Sequence, residues 1–355
     1  MVALLSSPDP DGLLEYSVVY TDRSLNHMSK RFCDVMADIS RIVKSVYAAH
    51  SVVIVPGSGT FGMEAVARQF ATDQRCLILR NGWFSYRWSQ ILEMGHIASG
   101  SNVLKARRAF EGPQAPFAPV PLHEAVRAIE TERPAVVFAP HVETSSGIIL
   151  PNDYLAKLGE AIRRVGGIFV LDCIASGTVW VDMRANNVDV LISAPQKGWS
   201  GSPCCAIVAL GERARVLIDK TTSTSFSCDL RKWLQIMESY EKGGFAYHAT
   251  MPTDSLAILR DVMLETERFG FARACSEAQL LGKEARTQLA TFGYKSVALD
   301  GCAAPGVIVS YTTNPDVQTG RAFRDVGLQI AAGVPLQCDE GADFSTFRIG
   351  LFGLD

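Results

Sequence analysis

Two residues of opposite charge follow short apolar runs in the middle of this chain and could act on one ligand. The β-branched runs Ile168–Leu171 and Val188–Ile192 are bounded by polar or small residues, which is typical of buried strands in a parallel sheet. Asp172 ends the first run, and Lys197 follows the second after a short turn. Because ligands of open α/β sheets bind at the carboxyl ends of the strands, we expect the acid and the amine to face one pocket.

A carboxylate and a lysine in one pocket suit pyridoxal phosphate (PLP). Its aldehyde is held as a Schiff base by a lysine, and its ring nitrogen stays protonated beside a carboxylate. The two residues also have an ordinary interpretation, because an Asp after a strand often caps a helix and a Lys in a polar loop is usually solvated. The pair alone leaves both interpretations open, and the other motifs decide between them.

A glycine-rich turn between a predicted strand and a predicted helix indicates a phosphate site. The apolar run Val52–Val55 ends at Pro56-Gly57-Ser58-Gly59-Thr60, and good helix formers follow. The N-terminus of such a helix has free N–H groups that bind anions, and the hydroxyls of Ser58 and Thr60 add donors.

The same turn also fits a dinucleotide fingerprint. Gly57, Gly59 and Gly62 have its spacing, but the fingerprint needs an acid about 20 positions further on, at the end of the next strand. The next strand, Cys76–Leu79, is followed by Arg80 instead. Phosphate binding is therefore favoured, while an NADP-dependent oxidoreductase with Arg80 on the nucleotide phosphate remains an alternative.

The composition is that of a globular protein and gives no reason to expect nucleic-acid or membrane binding. Of 355 residues, 48% are hydrophobic and 20% are charged, the net charge is −3, and no long Lys/Arg run occurs. No apolar run approaches membrane-spanning length, and the N-terminal MVALLSSPDPDG lacks the basic start of a secretory signal. The nine cysteines lack metal-binding spacing, so we expect reduced thiols, no metal site and a cytoplasmic location.

The hydrophobic pattern predicts an α/β chain in three parts. Residues 1–25 form an N-terminal arm, residues 26–255 a large ligand-binding domain and residues 256–355 a small α+β domain. Spacing predicts these further elements: a helix over Met28–Tyr47, a polar and Pro-rich loop over 99–121, a helix from Ser255 to about Leu289 with a break near Phe269–Phe271, a helix over Gly320–Val326, and strands Val307–Tyr311 and Phe347–Phe352.

Seven short motifs follow one another along the chain. They are Gly57-Ser58-Gly59-Thr60, Asn81-Gly82-Trp83-Phe84, His141-Val142-Glu143-Thr144-Ser145-Ser146-Gly147, Asp172-Cys173-Ile174-Ala175-Ser176, Ser193-Ala194-Pro195-Gln196-Lys197, Tyr247-His248-Ala249-Thr250 and Phe347-Arg348-Ile349-Gly350. As an ordered set they resemble the class V aminotransferases of PLP fold type I, most closely the alanine–glyoxylate / serine–pyruvate aminotransferase group. The resemblance implies a large domain with a mostly parallel sheet between helices and a small α+β C-terminal domain.

The resemblance also implies the residues that bind cofactor and substrate. Lys197 would form the Schiff base, Asp172 would pair with the ring nitrogen, and Arg348 would bind the substrate carboxylate. The remaining cofactor-binding residues would be Ser58, Gly59, Thr60 and Gln196 at the phosphate, Phe84 and Ile174 on the two faces of the ring, Thr144 at its phenolic oxygen, and Tyr247 and Thr250 at the phosphate of the neighbouring subunit. Active sites shared in this way imply a homodimer.

The implied activity moves an amino group from a small L-amino acid to a 2-oxo acid such as glyoxylate or pyruvate. The chain departs from the family at the N-terminus, where the usual P-G-P motif of the substrate pocket is absent. Thr21–Met28 stands in that region, and its Arg23, Asn26 and His27 are polar candidates for the missing contacts.

A second interpretation within PLP chemistry is a cysteine desulfurase or C–S lyase that uses Cys338 as its nucleophile. Those enzymes usually have a His before the lysine and a His on the cofactor ring. Gln196 and Phe84 stand at these places here, which favours the aminotransferase. A non-catalytic binding protein is disfavoured because the positions of Lys197, Asp172 and Arg348 are all filled.

Overall fold

A computed structural model describes residues 6–354. Residues 1–5 and Asp355 lie outside the described part. Residues 1–5 belong to the predicted N-terminal arm and begin the segment MVALLSSPDPDG, which was predicted not to be a secretory signal. The helices are α1 Lys30–Tyr47, α2 Gly59–Phe70, α3 Trp83–Met94, α4 Leu122–Glu132, α5 Asn152–Arg164, α6 Glu212–Ile218, α7 Leu230–Glu241, α8 Thr253–Phe269, α9 Phe271–Thr291, α10 Pro315–Gln318 and α11 Arg321–Arg324. The strands are β1 Ser51–Pro56, β2 Arg75–Arg80, β3 Gly100–Lys105, β4 Arg107–Arg108, β5 Phe117–Ala118, β6 Val136–Pro140, β7 Val142–Glu143, β8 Ile148–Ile149, β9 Ile168–Asp172, β10 Val190–Ser193, β11 Cys205–Leu210, β12 Val307–Tyr311, β13 Ala331–Ala332 and β14 Thr346–Gly350.

The central sheet has seven strands in the order β1-β11-β10-β9-β6-β2-β3. Neighbours from β10 to β3 are parallel, and only β11 runs antiparallel to its neighbours β1 and β10. Most of its strand residues are fully buried, as expected for a sheet covered by helices on both faces. The prediction of a mostly parallel α/β sheet is therefore confirmed.

The direction of the strands places the predicted functional loops on one edge. Strands β1, β2, β6, β9 and β10 all run the same way, so their carboxyl ends lie at the same side of the sheet. The glycine-rich turn follows β1, the Phe84 segment follows β2, and the Thr144 turn follows β6. Asp172 is the last residue of β9, and Lys197 lies in the loop after β10.

Helix α1 shows why the spacing of apolar residues predicted a helix there. The side chain of Ser29 caps it by accepting a hydrogen bond from the N–H of Phe32 at 3.1 Å. One face is fully buried and comprises Phe32, Val35, Met36, Ile39, Ile42 and Val43. The structure starts this helix at Lys30, two residues after the predicted start, because Ser29 is the cap.

A smaller antiparallel sheet, β12-β14-β13, lies in the C-terminal part of the chain. Its apolar residues form a second core cluster that includes Val307, Val309 and Tyr311. The predicted break in the long helix is confirmed at Gly270, which has a φ of +99° and separates α8 from α9.

Four predicted elements differ from the structure. Residues 99–121 contain strand β3, which lies at the sheet edge, begins with three exposed residues and has only Val103 and Leu104 as apolar residues, too short a run to indicate a strand. Strand β10 is shifted two residues from its predicted start, because Val188 and Asp189 precede the pairing with β9. The predicted helix over 320–326 is shortened to α11, because Gly320 precedes it at a φ of +77°, and the short helix α10 lies before the predicted span. Strand β14 ends at Gly350, because the sheet pairing with β12 stops there.

Close packing explains the spacing of the three glycines after β1. Gly57 has a φ of +122°, which a residue with a Cβ rarely adopts. A Cβ on Gly59 would lie 2.6 Å from Cδ1 of Ile174, and one on Gly62 would lie 2.4 Å from Cβ of Ala206. The glycine pattern therefore follows from the contact of α2 with its neighbours and requires no dinucleotide.

Residues 6–25 lack helix and strand and lie against the start of α8. The hydroxyl of Tyr20 donates to the carbonyl of Met251 at 3.2 Å, and the N–H of Leu25 donates to Asp254 at 2.9 Å. Within residues 6–354, no helix combines the length and apolarity that crossing a membrane requires. The same residues contain no cluster of three or more His, Cys, Asp or Glu placed to hold a metal ion.

The Gly62→Ala substitution tests the contact between α2 and β11. The added methyl group cannot fit beside Ala206, so we expect the free energy of unfolding to fall by about 1–3 kcal/mol despite the better helix propensity of alanine. Gly100→Ala is the matched control, because a Cβ there meets nothing within 4 Å. Urea unfolding midpoints of both variants provide the measurement, and equal midpoints would contradict the packing argument.

Candidate active site

The anion-binding turn is built by the first residues of α2. Ser58 is the N-cap, with an extended backbone at φ −144°, and its hydroxyl makes no capping hydrogen bond. The N–H of Gly57 donates to the carbonyl of Cys204 at 2.9 Å, which ties the turn to β11. A helix N-terminus with a free hydroxyl beside it suits a phosphate.

Gly59 brings this turn into contact with the loop after β9. Its Cα lies against the side chain of Ile174, two residues beyond Asp172. Two predicted cofactor-binding segments, after β1 and after β9, are therefore adjacent in the fold.

The start of α3 is held by the buried carboxylate of Glu143. Its two oxygens accept five hydrogen bonds of 2.7–3.2 Å, from the N–H groups of Phe84, Ser85 and Ser145 and from the hydroxyls of Ser85 and Ser145. Glu143 is 0% exposed. A carboxylate that accepts N–H groups at a helix N-terminus is stabilised there both by the hydrogen bonds and by the helix dipole.

Phe84 faces the other site residues, whereas Trp83 does not. The guanidinium carbons of Arg87 and Arg348 lie 5.2 Å and 5.7 Å from the centre of the Phe84 ring. The ring of Trp83 instead lies beside that of Tyr86 at 5.9 Å. The structure thus brings Phe84 and Arg348 together.

Asp172 is a buried acid with no cation in direct contact. It is 7% exposed and accepts one hydrogen bond from the N–H of Ile174 at 2.9 Å, and within residues 6–354 it forms no ion pair. Burial raises the pKa of Asp172 to about 7; the Ile174 hydrogen bond opposes this, the charge of Glu143 adds to it, and the charge of Arg87 opposes it. Such a carboxylate is costly unless a positive charge is placed beside it.

Lys197 lies in a half-buried environment beside Arg348. Burial lowers the pKa of Lys197, and the charge of Arg348 lowers it further. Its Nζ lies 4.8 Å from the centre of the Phe352 ring, which packs against Gly177, Gly306 and Gly350. These surroundings favour the neutral form of the Lys197 amine, which is the form that attacks a carbonyl group.

Arg348 on β14 reaches the site from the smaller sheet. Its Nε donates to the carbonyl of Ala332 at 2.8 Å, and this is its only hydrogen bond within residues 6–354. Burial lowers the pKa of Arg348, while the charge of Glu143 raises it. The two terminal nitrogens are thus left to a carboxylate.

The four remaining predicted residues are half-buried or exposed on the single chain. Thr144 is half-buried in the turn after β7, and Gln196 is exposed beside Lys197. Tyr247 and Thr250 are exposed and share a hydrogen bond of 3.2 Å between their hydroxyls. Within residues 6–354 of one chain, no hydrogen bond joins this pair to the anion-binding turn.

Cys338 lacks the exposure of a nucleophile. It is 4% exposed, and its thiol donates to the carbonyl of Arg80 at 3.4 Å. Burial is the main factor that raises the pKa of Cys338 to about 12. Because the thiolate is the reactive form, this environment disfavours a desulfurase.

The guanidinium of Arg80 is already hydrogen-bonded to other residues of the protein. Its guanidinium donates to Ser89 at 2.8 Å and to the carbonyl of Gln337 at 3.2 Å, and it lies 4.6 Å from the centre of the Tyr86 ring. The residue is 8% exposed, so it is not available to a nucleotide phosphate. The buried position of Arg80 therefore disfavours the alternative of an NADP-dependent oxidoreductase, in which Arg80 would bind the nucleotide phosphate.

Sequence reasoning missed Glu143 and Arg87 as members of the site. Glu143 stood in a quoted motif, and an acid between apolar and hydroxyl residues was a usable signal of a buried hydrogen-bonded carboxylate. Arg87 lies three positions after Phe84, which puts the two on one face of α3.

No protein-family model matches the chain, but the similar sequences and the similar solved structure described next are all named as aminotransferases or transaminases. The alanine–glyoxylate aminotransferase of Rattus norvegicus is 24% identical over 360 residues, which cover 99% of this chain and 83% of the relative. The 2-aminoethylphosphonate–pyruvate transaminase 2 of Paraburkholderia xenovorans is 26% identical over 351 residues, covering 94% of this chain and 84% of the relative. The crystal structure of an alanine–glyoxylate aminotransferase from Nostoc sp. matches with a TM-score of 0.79 at 21% identity, over 93% of this chain and 84% of that one.

The fold is that of the PLP-dependent enzymes of fold type I. Within it, the chain is a homologue of the class V aminotransferases and of their alanine–glyoxylate group, the family that its motifs resemble. PLP is the cofactor of this family, and the residues present here fit it. The buried carboxylate of Asp172 fits a pyridinium nitrogen, and the helix N-terminus after Ser58 fits a phosphate.

Replacing Asp172 tests the unpaired carboxylate in the apoprotein. Its pKa in the folded state, about 7, lies above the ordinary value, so the unfolded chain ionises first and stability is lost as pH rises from about 4 to 7. Asp172→Asn removes this loss, so it should become more stable than the parent by up to about 1.4 kcal/mol per pH unit over that range. Urea unfolding of both apoproteins from pH 4.5 to 8 measures the difference. The exposed Glu111→Gln variant is the control and should follow the parent; parallel curves for Asp172→Asn would contradict the prediction.

Proposed function

We propose that this protein is a PLP-dependent aminotransferase that moves an amino group from a small L-amino acid to a 2-oxo acid such as glyoxylate or pyruvate. The observation that supports the proposal is that Asp172 ends β9, Lys197 follows the neighbouring parallel strand β10, and the charge of Arg348, on β14, acts on Lys197. A buried carboxylate without a cation, an amine with a lowered pKa and a guanidinium with free nitrogens are supplied by Asp172, Lys197 and Arg348. The relatives named for glyoxylate and pyruvate acceptors support the choice of 2-oxo acid.

The residues proposed from the motifs would bind three parts of the cofactor, namely its ring nitrogen, its phosphate and its ring. When bound, PLP with a protonated ring withdraws electrons from the substrate Cα. Asp172 would keep the ring nitrogen charged. The phosphate would be bound by Ser58, Gly59, Thr60 and Gln196, and the ring would be contacted by Phe84, Ile174 and Thr144.

Lys197 would hold the cofactor covalently through its aldehyde and then act as the base. Once the substrate amine has taken its place, the neutral Lys197 amine is free to accept the proton from the substrate Cα and to return it one bond away. Its half-buried position beside Arg348 supports this role because both features lower its pKa.

Arg348 would fix the substrate carboxylate by a bidentate contact. The 5.7 Å approach of its guanidinium to Phe84 puts the carboxylate site beside one proposed face of the cofactor ring.

Reduction of the protein with borohydride in the presence of PLP tests the proposal. We expect a yellow protein, a phosphopyridoxyl label on Lys197 in peptide mass spectra, and keto-acid formation from a panel of small amino donors with glyoxylate or pyruvate. Lys197→Ala should lose the label and about 10²–10⁴-fold in rate. Lys157→Ala, an exposed lysine on α5, is the control. A colourless protein that Lys197→Ala leaves fully active would overturn the proposal.

We also propose a cytoplasmic homodimer with shared active sites. The nine cysteines are all free thiols, which fits a reducing compartment. Tyr247 is 58% exposed and Phe61, at the start of α2, is 51% exposed. Exposed aromatics next to residues proposed to bind phosphate suit a contact with a second copy, with Tyr247 and Thr250 reaching the neighbour's phosphate.

Mixing two inactive variants tests the sharing. A heterodimer of Lys197→Ala with Tyr247→Ala/Thr250→Ala contains one site with an intact lysine and an intact Tyr–Thr pair. Random reassociation should therefore restore about a quarter of the parent activity. Failure to recover any activity, or sedimentation of the active PLP-loaded protein as a monomer, would contradict the shared site.

A further inference from the structure

Arg87 contacts two parts of the proposed site, although neither the sequence motifs nor the proposed function gives this residue a role. From α3, its Nη1 donates to the hydroxyl of Thr60 in the first turn of α2 at 2.9 Å. Its guanidinium carbon lies 5.2 Å from the centre of the Phe84 ring, one helical turn earlier. Within residues 6–354 it forms no ion pair with any acid.

The charge of Arg87 also acts on Asp172. The groups that act electrostatically on this carboxylate are Glu143, from the turn after β6, and Arg87, from α3. Burial raises the pKa of the thiol of Cys173, the next residue, and the charge of Asp172 adds a smaller effect. Arg87 is thus the cation that opposes burial and Glu143 at Asp172.

We propose that Arg87 is a positioning residue for PLP, which holds Thr60 in the anion-binding turn and packs on Phe84. A guanidinium can do both because it donates in its plane and stacks on an aromatic ring with its face, and its charge also favours the ionised form of Asp172. The inference requires that PLP binds, and it does not depend on which amino acid is the substrate.

Two substitutions separate the charge of Arg87 from its shape. Arg87→Met keeps the stem but removes the charge and the donor. Arg87→Lys keeps the charge but loses the planar fork and the stacking. The first variant should therefore disturb both Thr60 and Asp172, while the second should leave the ionisation of Asp172 nearly unchanged.

The experiment is PLP binding to apoprotein, followed by quenching of tryptophan fluorescence from pH 6 to 9. We expect Arg87→Met to bind PLP about 10–100-fold more weakly than the parent at pH 7.5, the effect of losing a charged hydrogen-bond donor. Without Arg87 the pKa of Asp172 rises, so less of it is ionised below about pH 8 and the loss should grow as pH falls. Arg87→Lys should bind more weakly than the parent without this added pH dependence.

Background variants identify the cause. In Asp172→Asn protein, adding Arg87→Met should still weaken binding through Thr60, but the loss should be equal at every pH. Arg127→Met, an exposed arginine on α4, is the matched control and should bind as the parent does. Thermal unfolding of each apoprotein shows whether the fold survives; if Arg87→Met does not fold, the pH profile of Arg87→Lys decides.

Parent-like affinity of Arg87→Met would overturn the inference, as would a pH-dependent loss that persists in Asp172→Asn protein. A pH profile of Arg87→Lys that is displaced from the parent's would overturn it as well. The measurement is independent of transamination. A protein that binds PLP as predicted but transfers no amino group would contradict the proposed function and leave the role of Arg87 standing.

Discussion

The buried carboxylate of Glu143 is the constraint on which the rest of the site depends. Removing an ionised group from water costs several kcal/mol, and here that cost is offset by three N–H groups and two hydroxyls aimed at its oxygens. These bonds fix the first turn of α3 against the turn after β6. They leave no room for a side chain at Gly82, where a Cβ would lie 2.0 Å from the Ser145 hydroxyl.

One fixed negative charge also sets the electrostatics around it. Glu143 adds to the rise that burial causes in the pKa of Asp172, and it opposes the lowering that burial causes in the pKa of Arg348. Arg348 in turn lowers the pKa of Lys197. Charged groups from β7, β9, β14 and the loop after β10 thus act on one another in this part of the fold.

The sequence predicted those features that depend on local patterns. Strand β9 and Asp172 at its end were predictable because an apolar run followed by an acid is a strong local signal. Strand β3 was missed because an edge strand does not need buried side chains. The roles of Glu143 and Arg87 depend on partners 58 and 27 positions away, and one sequence holds no record of such pairings.

The pairing of β1 has a consequence for how the chain is made. In the sheet, β1 contacts only β11, and Pro56 pairs with Cys205. A ribosome that adds about 5–20 residues per second leaves β1 without its partner for roughly 10–30 s. During that interval the apolar edge of β1 is open to other chains, and the turn at Ser58 has no support from Cys204. The turn at Ser58 therefore cannot gain its contact with Cys204 before β11, the strand that follows that residue, has been synthesised.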